Sequence, residues 1–175
     1  MIRFIIPVIL FAGIIKGQEP SELIVVNRVD LQKYTGLWYE IAKIPNFFQK
    51  KCAKNTKAEY TFRSDGKISV VNSCTESDGT KNTAEGVARV VDTSSNAKLE
   101  VSFVKVLGIN LFWGDYWIIG LGDNYEYALV GSPSRKYGWI LSRTPKLSKE
   151  KLDQINNILK IKGYDPAKFE FTIQD

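Results

Sequence analysis

Few residues in this chain could carry out chemistry, and their types restrict the function. The 175 residues include no histidine. A Ser-His-Asp relay, a histidine-ligated haem and the usual zinc catalytic site each need an imidazole as base or ligand, so the sequence excludes these classes of protein. The reactive groups that remain are two cysteines, Cys52 and Cys74, together with carboxylates and tyrosine hydroxyls. We expect no metal centre and no cofactor, and we favour a binding protein over an enzyme.

The first residues have the features of a signal peptide. Arg3 gives a short basic start, residues 4–15 are apolar, and Lys16-Gly17-Gln18 ends the run near a small residue. A membrane-spanning helix needs roughly 20 apolar residues, more than this run supplies. The mature protein is therefore expected to be exported, periplasmic or secreted, and soluble. We predict a signal peptide over residues 1–17, an N-terminal extension over 18–28 and one folded domain over 29–175.

The two cysteines of an exported chain favour a disulfide, because disulfides persist in oxidising compartments. Closing the loop between Cys52 and Cys74 would stabilise the fold by roughly 3 kcal/mol. The hairpin register derived below places Thr56 opposite Cys74, and a four-residue slip is roughly 13 Å, against about 7 Å for bridged Cα atoms. Cys52 therefore has to bend back. The alternatives are two free thiols or a nucleophilic cysteine, for which the sequence offers no clear cationic neighbour.

A period of two dominates the middle of the chain. Tyr60 and Phe62 alternate with polar residues, which predicts a strand with one buried face. Ser64-Asp65-Gly66 then predicts a turn. A hairpin closed by that turn pairs Phe62 with Ile68 and Tyr60 with Val70, so the apolar residues of both strands lie on one face.

Six more segments have strand patterns and bring the count to eight. Short connections imply an antiparallel meander, and eight strands can close into a barrel that leaves no exposed edge. One helix follows its N-cap Ser148 and presents an apolar stripe of Leu152, Ile155 and Leu159 before Gly163. We expect this helix to pack outside the sheet, before a short strand at 169–173. The six segments are residues 36–44, 85–90, 98–103, 115–121, 125–131 and 137–142.

These residues resemble the lipocalin family. Gly36-Leu37-Trp38 at the head of the first strand and Leu141-Ser142-Arg143-Thr144-Pro145 before the helix are similar to the first and third signature regions of lipocalins. Phe112-Trp113-Gly114 and Tyr116-Trp117 follow in the expected order, and the match runs from about residue 29 to residue 173. Bacterial lipocalins of the outer-membrane lipoprotein type and apolipoprotein D are the members that the chain resembles most.

Two features depart from the family pattern. The second signature region usually reads T-D-Y, whereas Gly122-Asp123-Asn124-Tyr125 stands here and only Asp123 matches directly. Many bacterial members also carry a cysteine just after the signal segment for lipid attachment. This chain has only Cys52 and Cys74, so we expect no lipoprotein anchor.

The resemblance implies an eight-stranded up-and-down barrel with a closed end, an open mouth and a ligand cavity. The tryptophan that matches Trp38 fills the closed end, and the arginine that matches Arg143 lies across it, a contact of about 0.5–2 kcal/mol. Gly36, Trp38 and Arg143 are therefore expected to be structural. Inward-facing residues of the strands would simply be core in a filled barrel, and it is the resemblance that implies a cavity in which they contact a ligand. The predicted ligand-contacting residues are Tyr60, Phe62, Val70, Val101, Phe103, Tyr116, Tyr127, Leu129, Tyr137, Trp139 and Leu141.

An elongated apolar molecule is the natural guest of such a cavity. The resemblance implies that the protein carries fatty acids or lysophospholipids in the maintenance of cell-envelope lipid. The competing function is a lipocalin-fold enzyme acting on a lipid or pigment, with Glu40 or a cavity tyrosine as acid or base. If Trp38 points inward, the alternation sends Glu40 inward too, where a carboxylate needs a hydrogen-bond donor or a proton. We favour a structural hydrogen bond for Glu40.

The connection Val106 to Gly114 is unusually apolar for a link between strands. It is expected to be a buried plug, a lip that touches a membrane transiently, or a homodimer contact. The densest basic cluster, at residues 50, 51, 54 and 57, is either solvated or weakly attracted to anionic lipid. Without Arg3 and Lys16 the formal charge falls from +5 to +3, which does not favour nucleic acid as a partner.

Overall fold

Eleven strands and two α-helices form in residues 22–175, the part of the chain that the computed structural model describes. The predicted signal peptide, residues 1–17, and the start of the predicted extension lie outside the described residues. Two short 3₁₀ segments, at Phe47–Gln49 and Pro166–Lys168, join neighbouring elements. The elements are α1 Leu31–Tyr34, β1 Gly36–Lys43, β2 Cys52–Phe62, β3 Ile68–Glu76, β4 Lys81–Val90, β5 Lys98–Ser102, β6 Val104–Val106, β7 Ile109–Leu111, β8 Gly114–Leu121, β9 Tyr127–Gly131, β10 Gly138–Ser142, α2 Lys149–Ile161 and β11 Glu170–Phe171.

Eight of these strands close into a barrel within residues 22–175. Strands β1 to β5 and β8 to β10 neighbour one another in chain order, and β1 closes the ring by pairing with β10. Their pairings are antiparallel throughout. The predicted eight-stranded up-and-down barrel is therefore confirmed. Strands β6 and β7 form a separate hairpin inserted between β5 and β8.

The meander gives the barrel two distinct ends. The turns between β2 and β3, between β4 and β5 and between β8 and β9 lie at the same end as the start of β1, because successive strands alternate in direction. Helix α1 also lies at this end, which we call the closed end. The β6–β7 hairpin and the 3₁₀ segment Phe47–Gln49 lie at the opposite, open end.

The predicted β2–β3 hairpin has the expected register near its turn. Tyr60 lies opposite Val70, and Phe62 lies opposite Ile68. The strand differs from the prediction at its other end, where it begins at Cys52 and its pairing shifts twice before Lys57. These irregularities move Cys52 towards Cys74.

The disulfide between Cys52 and Cys74 is confirmed, with the two Cα atoms 5.5 Å apart. The expectation that Cys52 lies four residues out of register with Cys74 is wrong, because Cys52 pairs opposite Glu76. Asn55, in the irregular stretch, has a φ of +58°, a left-handed conformation that asparagine tolerates better than most residues. The bend in β2 therefore brings Cys52 close enough to Cys74 to form the disulfide, which a regular strand would not do.

Helix α2 packs on the outside of the barrel, as predicted. The Ser148 side chain accepts a hydrogen bond from the backbone N–H of Lys151 at the N-terminus, and Gly163 has a φ of +77° just after the end. Ile155 and Leu159 are buried against the outer faces of the barrel strands. In residues 22–175 no helix has the length and hydropathy needed to cross a membrane.

Two hydrophobic clusters lie on the two sides of the barrel wall. The inner cluster includes Trp38, Tyr60 and Val70, and the outer cluster lies between the wall and α2. Tyr127 and Leu129 belong to the outer cluster, so the expectation that they face the cavity is wrong. All five residues of β9 are buried, since the strand has the barrel interior on one side and the helix on the other. A strand buried on both faces has no alternation from which the inward side could be chosen.

The last residues of the chain fill a gap in the wall. Strands β1 and β2 pair only over the first four residues of β1 and separate towards the open end. In the gap, β11 pairs with the end of β1, and Ile173 forms a bridge with Lys54 of β2. Gln174 donates to the backbone carbonyls of Glu40 and Thr56 at 2.8 and 2.9 Å. The C-terminal segment thus completes the barrel where the two strands diverge.

Candidate functional site

The closed end is sealed by an arginine, a tryptophan and a short helix. Asp30 caps α1 by accepting from the backbone N–H groups of residues 32 and 33, which fixes Tyr34 inside the barrel. The Trp38 side chain is fully buried, and its Nε1 donates to the carbonyl of Tyr34 at 2.8 Å. The Arg143 guanidinium lies 3.8 Å from the centre of the Trp38 ring and donates to the carbonyls of residues 33, 34, 35 and 37. Gly36, with a φ of +92°, lets the chain pass beneath this guanidinium.

The inner wall carries apolar side chains that remain partly accessible. Phe62, Val101, Tyr116 and Trp139 pack against the inner cluster and are each only partly buried. Other predicted contact residues on the same side, Tyr60, Val70 and Leu141, are almost fully buried. The structure brings these seven predicted residues together on one continuous inner surface.

Three tyrosine hydroxyls meet deep inside the barrel. The hydroxyl of Tyr116 lies 2.7 Å from that of Tyr34 and 2.9 Å from that of Tyr60. The three residues come from β8, α1 and β2, so the arrangement depends on the closed fold. Burial raises the pKa of Tyr60 to about 12 and also raises the pKa of Tyr34 and of Tyr116. All three groups therefore stay protonated at neutral pH.

Aromatic side chains surround the opening of the barrel. The Phe103 ring lies against Gly86, where a Cβ atom would come within 2.6 Å of it, so glycine makes room for the ring. The Tyr137 ring stacks at 6.2 Å from Trp139 and lies 5.7 Å from Phe48. These contacts place the predicted residues Phe103, Tyr137 and Trp139 between the interior and the solvent.

Glu40 is buried and fully engaged by neighbouring donors. Its carboxylate accepts from Lys43 at 2.9 Å, from Thr172 at 2.6 Å and from Gln49 at 2.6 Å. The Gln49 side-chain oxygen in turn accepts from Trp139 Nε1 at 3.0 Å. The carboxylate thus connects β1, the C-terminal segment and the 3₁₀ segment, an arrangement that suits a structural hydrogen-bonding role.

The β6–β7 hairpin projects into solvent with its apolar side chains uncovered. Leu107 is 97% exposed, Phe112 is 81% exposed and Ile109 is 65% exposed. The hypothesis of a buried plug is therefore wrong. Leu107 and Phe112 also have φ angles of +47° and +56°. Bulky residues rarely adopt this left-handed conformation, because their Cβ atoms crowd the backbone.

The predicted basic cluster divides into two parts. Lys54 pairs with Asp175, and Lys57 lies over the Tyr39 ring at 5.1 Å on the outer wall. Lys50 and Lys51 are exposed in the connection between β1 and β2, beside Phe47–Gln49. Of these four lysines, only Lys50 and Lys51 add positive charge to the open end. No cluster of three or more potential metal ligands occurs in the part of the chain that the structure describes.

Sequence reasoning missed several residues of this site. Tyr34 was not predicted because a four-residue helix has no measurable periodicity, although Asp30 followed by three good helix formers is an N-terminal signal. Gln49 and Thr172 were missed because their contacts with Glu40 join segments that are distant in sequence. No local pattern could have indicated them.

Comparison with known proteins identifies relatives that agree with the fold described above. The family model described as a lipocalin-like domain matches residues 29–174. Temperature-induced lipocalin-1 of Arabidopsis thaliana is 41% identical, covering 89% of this chain and 85% of the relative. The outer membrane lipoprotein Blc of Escherichia coli is 38% identical over 86% of this chain and 82% of its own length. Apolipoprotein D of Macaca fascicularis is 38% identical over 86% and 80%, respectively.

A solved structure agrees with the fold. Insecticyanin from the tobacco hornworm Manduca sexta superposes with a TM-score of 0.69 and 27% sequence identity, covering 85% of this chain and 82% of that protein. The resemblance inferred from the signature residues is thereby confirmed.

Proposed function

The chain belongs to the lipocalin family, whose members bind small hydrophobic ligands, and from that premise we propose that it carries fatty acids or lysophospholipids in its barrel. The observation that carries the proposal is the set of partly accessible apolar side chains on the inner wall, above all Val101, Tyr116 and Trp139. Covering accessible apolar groups inside a barrel with an alkyl chain is favourable, because it removes apolar surface from water. The names of two relatives, an outer membrane lipoprotein and an apolipoprotein, support a role in maintaining cell-envelope lipid.

Hydrophobic burial alone is sufficient for useful affinity. About fifteen methylenes at ~0.8 kcal/mol each supply ~12 kcal/mol of gross stabilisation. Association costs ~4 kcal/mol or more, which leaves at most ~8 kcal/mol and therefore a Kd of about 1 μM or higher. The proposed carrier therefore needs no reacting group, and the absence of histidine from the sequence is no obstacle to it.

Tryptophan fluorescence provides the test, because Trp139 lies at the opening of the barrel. Titration of delipidated protein with a long-chain fatty acid should change the emission with saturation. Val101→Phe should weaken binding roughly tenfold by filling inner space, whereas Val87→Phe on the outer face of the neighbouring strand should not. Flat titrations across fatty acids and lysophospholipids would contradict the proposal.

We extend the proposal to transient contact between the open end and anionic membrane. The exposed apolar side chains of the hairpin and the exposed Phe47 and Phe48 all lie at the open end, as do Lys50, Lys51 and Lys105. Stability alone would favour glycine or asparagine at the left-handed positions 107 and 112, so their leucine and phenylalanine suggest a use for exposed apolar groups. A lipid carrier needs such contact to collect its ligand from a bilayer.

Vesicle sedimentation tests this contact. Leu107→Asn/Phe112→Asn should reduce binding to phosphatidylglycerol vesicles at least tenfold, and phosphatidylcholine vesicles should bind the unmodified protein more weakly. The control is Val91→Asn, at a half-exposed valine of the closed end. If the double variant instead converts a dimer into a monomer, the hairpin is a homodimer contact and the membrane proposal fails.

We propose a carrier and not an enzyme, since the Glu40 carboxylate is occupied by structural donors. Glu40→Gln should then leave ligand binding intact. Turnover of a lipid or pigment that this change abolishes would favour the enzyme. Export to the periplasm or the exterior is part of the proposal, and the Cys52–Cys74 disulfide supports it.

A further inference from the structure

The three tyrosine hydroxyls have one more proton than they can share among themselves. Each hydroxyl has a single O–H donor. The two contacts that join Tyr116 to Tyr34 and to Tyr60 use two of the three protons. Within residues 22–175, these hydroxyls form hydrogen bonds only with one another. Whatever the direction of the two bonds, one O–H remains to donate to a group from outside the chain.

The hydroxyl cluster lies on the inner side of the barrel wall, where a ligand inside the barrel would meet it. Tyr116 is partly exposed on the inner wall, and its neighbour in the next strand is Leu99 of the inner cluster. The hydroxyls therefore lie among apolar side chains of the inner cluster. Buried donors without a partner are rare in folded proteins, because each loses hydration without compensation.

A second unpaired polar group lies on the wall beside Tyr60. The side-chain oxygen of Asn72 is buried without a hydrogen-bond partner, and Asn72 lies opposite Ala58, a member of the inner cluster. The hydroxyl of Thr56, on the same strand as Ala58, is also buried and unpaired. Among the described residues, these are the two buried side-chain oxygens that form no hydrogen bond at all. Thr56 lies on β2 and Asn72 lies on β3.

The charges near the hydroxyls favour a neutral partner. Arg143 directs its guanidinium nitrogens to four backbone carbonyls at the closed end and not to the hydroxyls. An ionised carboxylate placed against the tyrosines would lose its hydration without gaining a hydrogen-bonded cation. A carbonyl, hydroxyl or protonated carboxyl oxygen accepts a hydrogen bond there at much lower cost.

We propose that the barrel takes ligands with an uncharged oxygen at their inner end and holds that oxygen on the hydroxyls of Tyr34, Tyr60 and Tyr116. The inference rests on the proposed function, since it assumes an apolar ligand in the lumen. It adds an orientation, with the oxygen inward and the alkyl chain towards Phe103 and Trp139. Long-chain ketones, alcohols and protonated fatty acids fit this description. Lysophospholipids, bound tail first, would leave the donor unpaired.

The test compares two probes of equal chain length, 2-tetradecanone and tetradecane, by displacement of anilinonaphthalene sulfonate. The variant Tyr34→Phe/Tyr60→Phe/Tyr116→Phe removes all three hydroxyls and keeps the rings. Removing every partner of a hydrogen-bonded group together leaves none unsatisfied, so the variant is expected to fold. Its affinity for the ketone should fall roughly fivefold, the effect of one hydrogen bond, while its affinity for the alkane should not fall. The matched control is Tyr39→Phe on the outer wall.

Infrared spectroscopy of bound ketone labelled with ¹³C at the carbonyl gives a direct readout. Hydrogen bonding should lower the carbonyl stretching frequency in the unmodified protein relative to the ketone in hexane. A hexane-like frequency would overturn the inference even if the triple variant failed to fold. If both probes bind and the hydroxyls make no difference, the inference fails and the proposed function stands. If neither probe nor any lipid binds, the proposed function itself fails.

Discussion

The two ends of the barrel differ in how their polar and apolar groups are satisfied. At the closed end, Trp38 is fully buried, and Arg143 donates to four carbonyls while covering its ring. At the open end, the β6–β7 hairpin leaves Leu107 and Phe112 in water with left-handed backbones. The closed end is arranged for stability, and the open end tolerates a cost in stability. Such a division is expected where one end of a container has to exchange its contents.

The largest effect should come from emptying the closed end. Trp38→Ala should lower the free energy of unfolding by about 3–5 kcal/mol, because the cavity it leaves is enclosed by Tyr34 and Arg143. Denaturant titration followed by circular dichroism measures the loss. The matched control is Trp113→Ala at the partly exposed tryptophan beside Arg89, where under about 1 kcal/mol is expected. Equal losses at the two tryptophans would remove the contrast between the ends.

The disulfide provides the next test, since it is a covalent restraint on the open half of β2 and β3. Cys52→Ser/Cys74→Ser should cost roughly 3 kcal/mol of unfolding free energy, chiefly by freeing the unfolded chain. Thiol reduction of the unmodified protein should reproduce that loss. A double variant as stable as the oxidised protein would show that the open half needs no such restraint.

Alkaline pH should act on the interior between the two ends. The pKa of Tyr60 is raised to about 12, so above pH 10 the unfolded chain loses a proton that the folded protein keeps. Stability should therefore fall as the pH rises from about 10 to 12, by up to about 3 kcal/mol for this residue. Tyr60→Phe should make the pH dependence of urea unfolding less steep in that range, and the raised pKa values of Tyr34 and Tyr116 should account for the slope that remains. An unchanged slope in the variant would contradict the assignment.

The smallest change in unfolding free energy is expected at the β6–β7 hairpin, and there substitution should stabilise the protein or leave its stability unchanged. Leu107→Asn/Phe112→Asn should leave the unfolding free energy unchanged or raise it by up to about 1 kcal/mol, because asparagine tolerates positive φ and no buried contact is lost. Urea unfolding of the variant beside the unmodified protein measures this. A loss above about 1 kcal/mol would mean that the hairpin contributes to the fold as the closed end does.

Local sequence patterns predicted correctly those strands and helices that have one buried face and one exposed face. The alternation around Tyr60 and the turn at residues 64–66 predicted the β2–β3 register, and the stripe on α2 predicted a helix on the outside. Prediction failed where burial is two-sided, as for Tyr127 and Leu129 in β9. It also failed where the chain leaves regular geometry, as in the shifts of pairing after Cys52.

Much of the candidate site was beyond local reasoning for a different reason. Tyr116 was predicted as a contact residue, but its hydroxyl partners Tyr34 and Tyr60 are 82 and 56 residues away in sequence. Likewise, the alternation of β1 indicated that Glu40 needs a hydrogen-bond donor, but it could not identify Thr172, which is 132 residues away in sequence. Such contacts form only when the barrel has closed. A sequence pattern can therefore indicate which residues face inward but not which of them contact each other.

The C-terminal segment has a practical consequence for handling the protein. Gln174 bonds to both β1 and β2, and Asp175 pairs with Lys54, so the last residues are part of the wall. A purification tag joined after Asp175 would pull on this seam, and trimming by a carboxypeptidase would open it and release Thr172 from Glu40. A tag is better joined directly at Glu22, which pairs with Lys98 of β5.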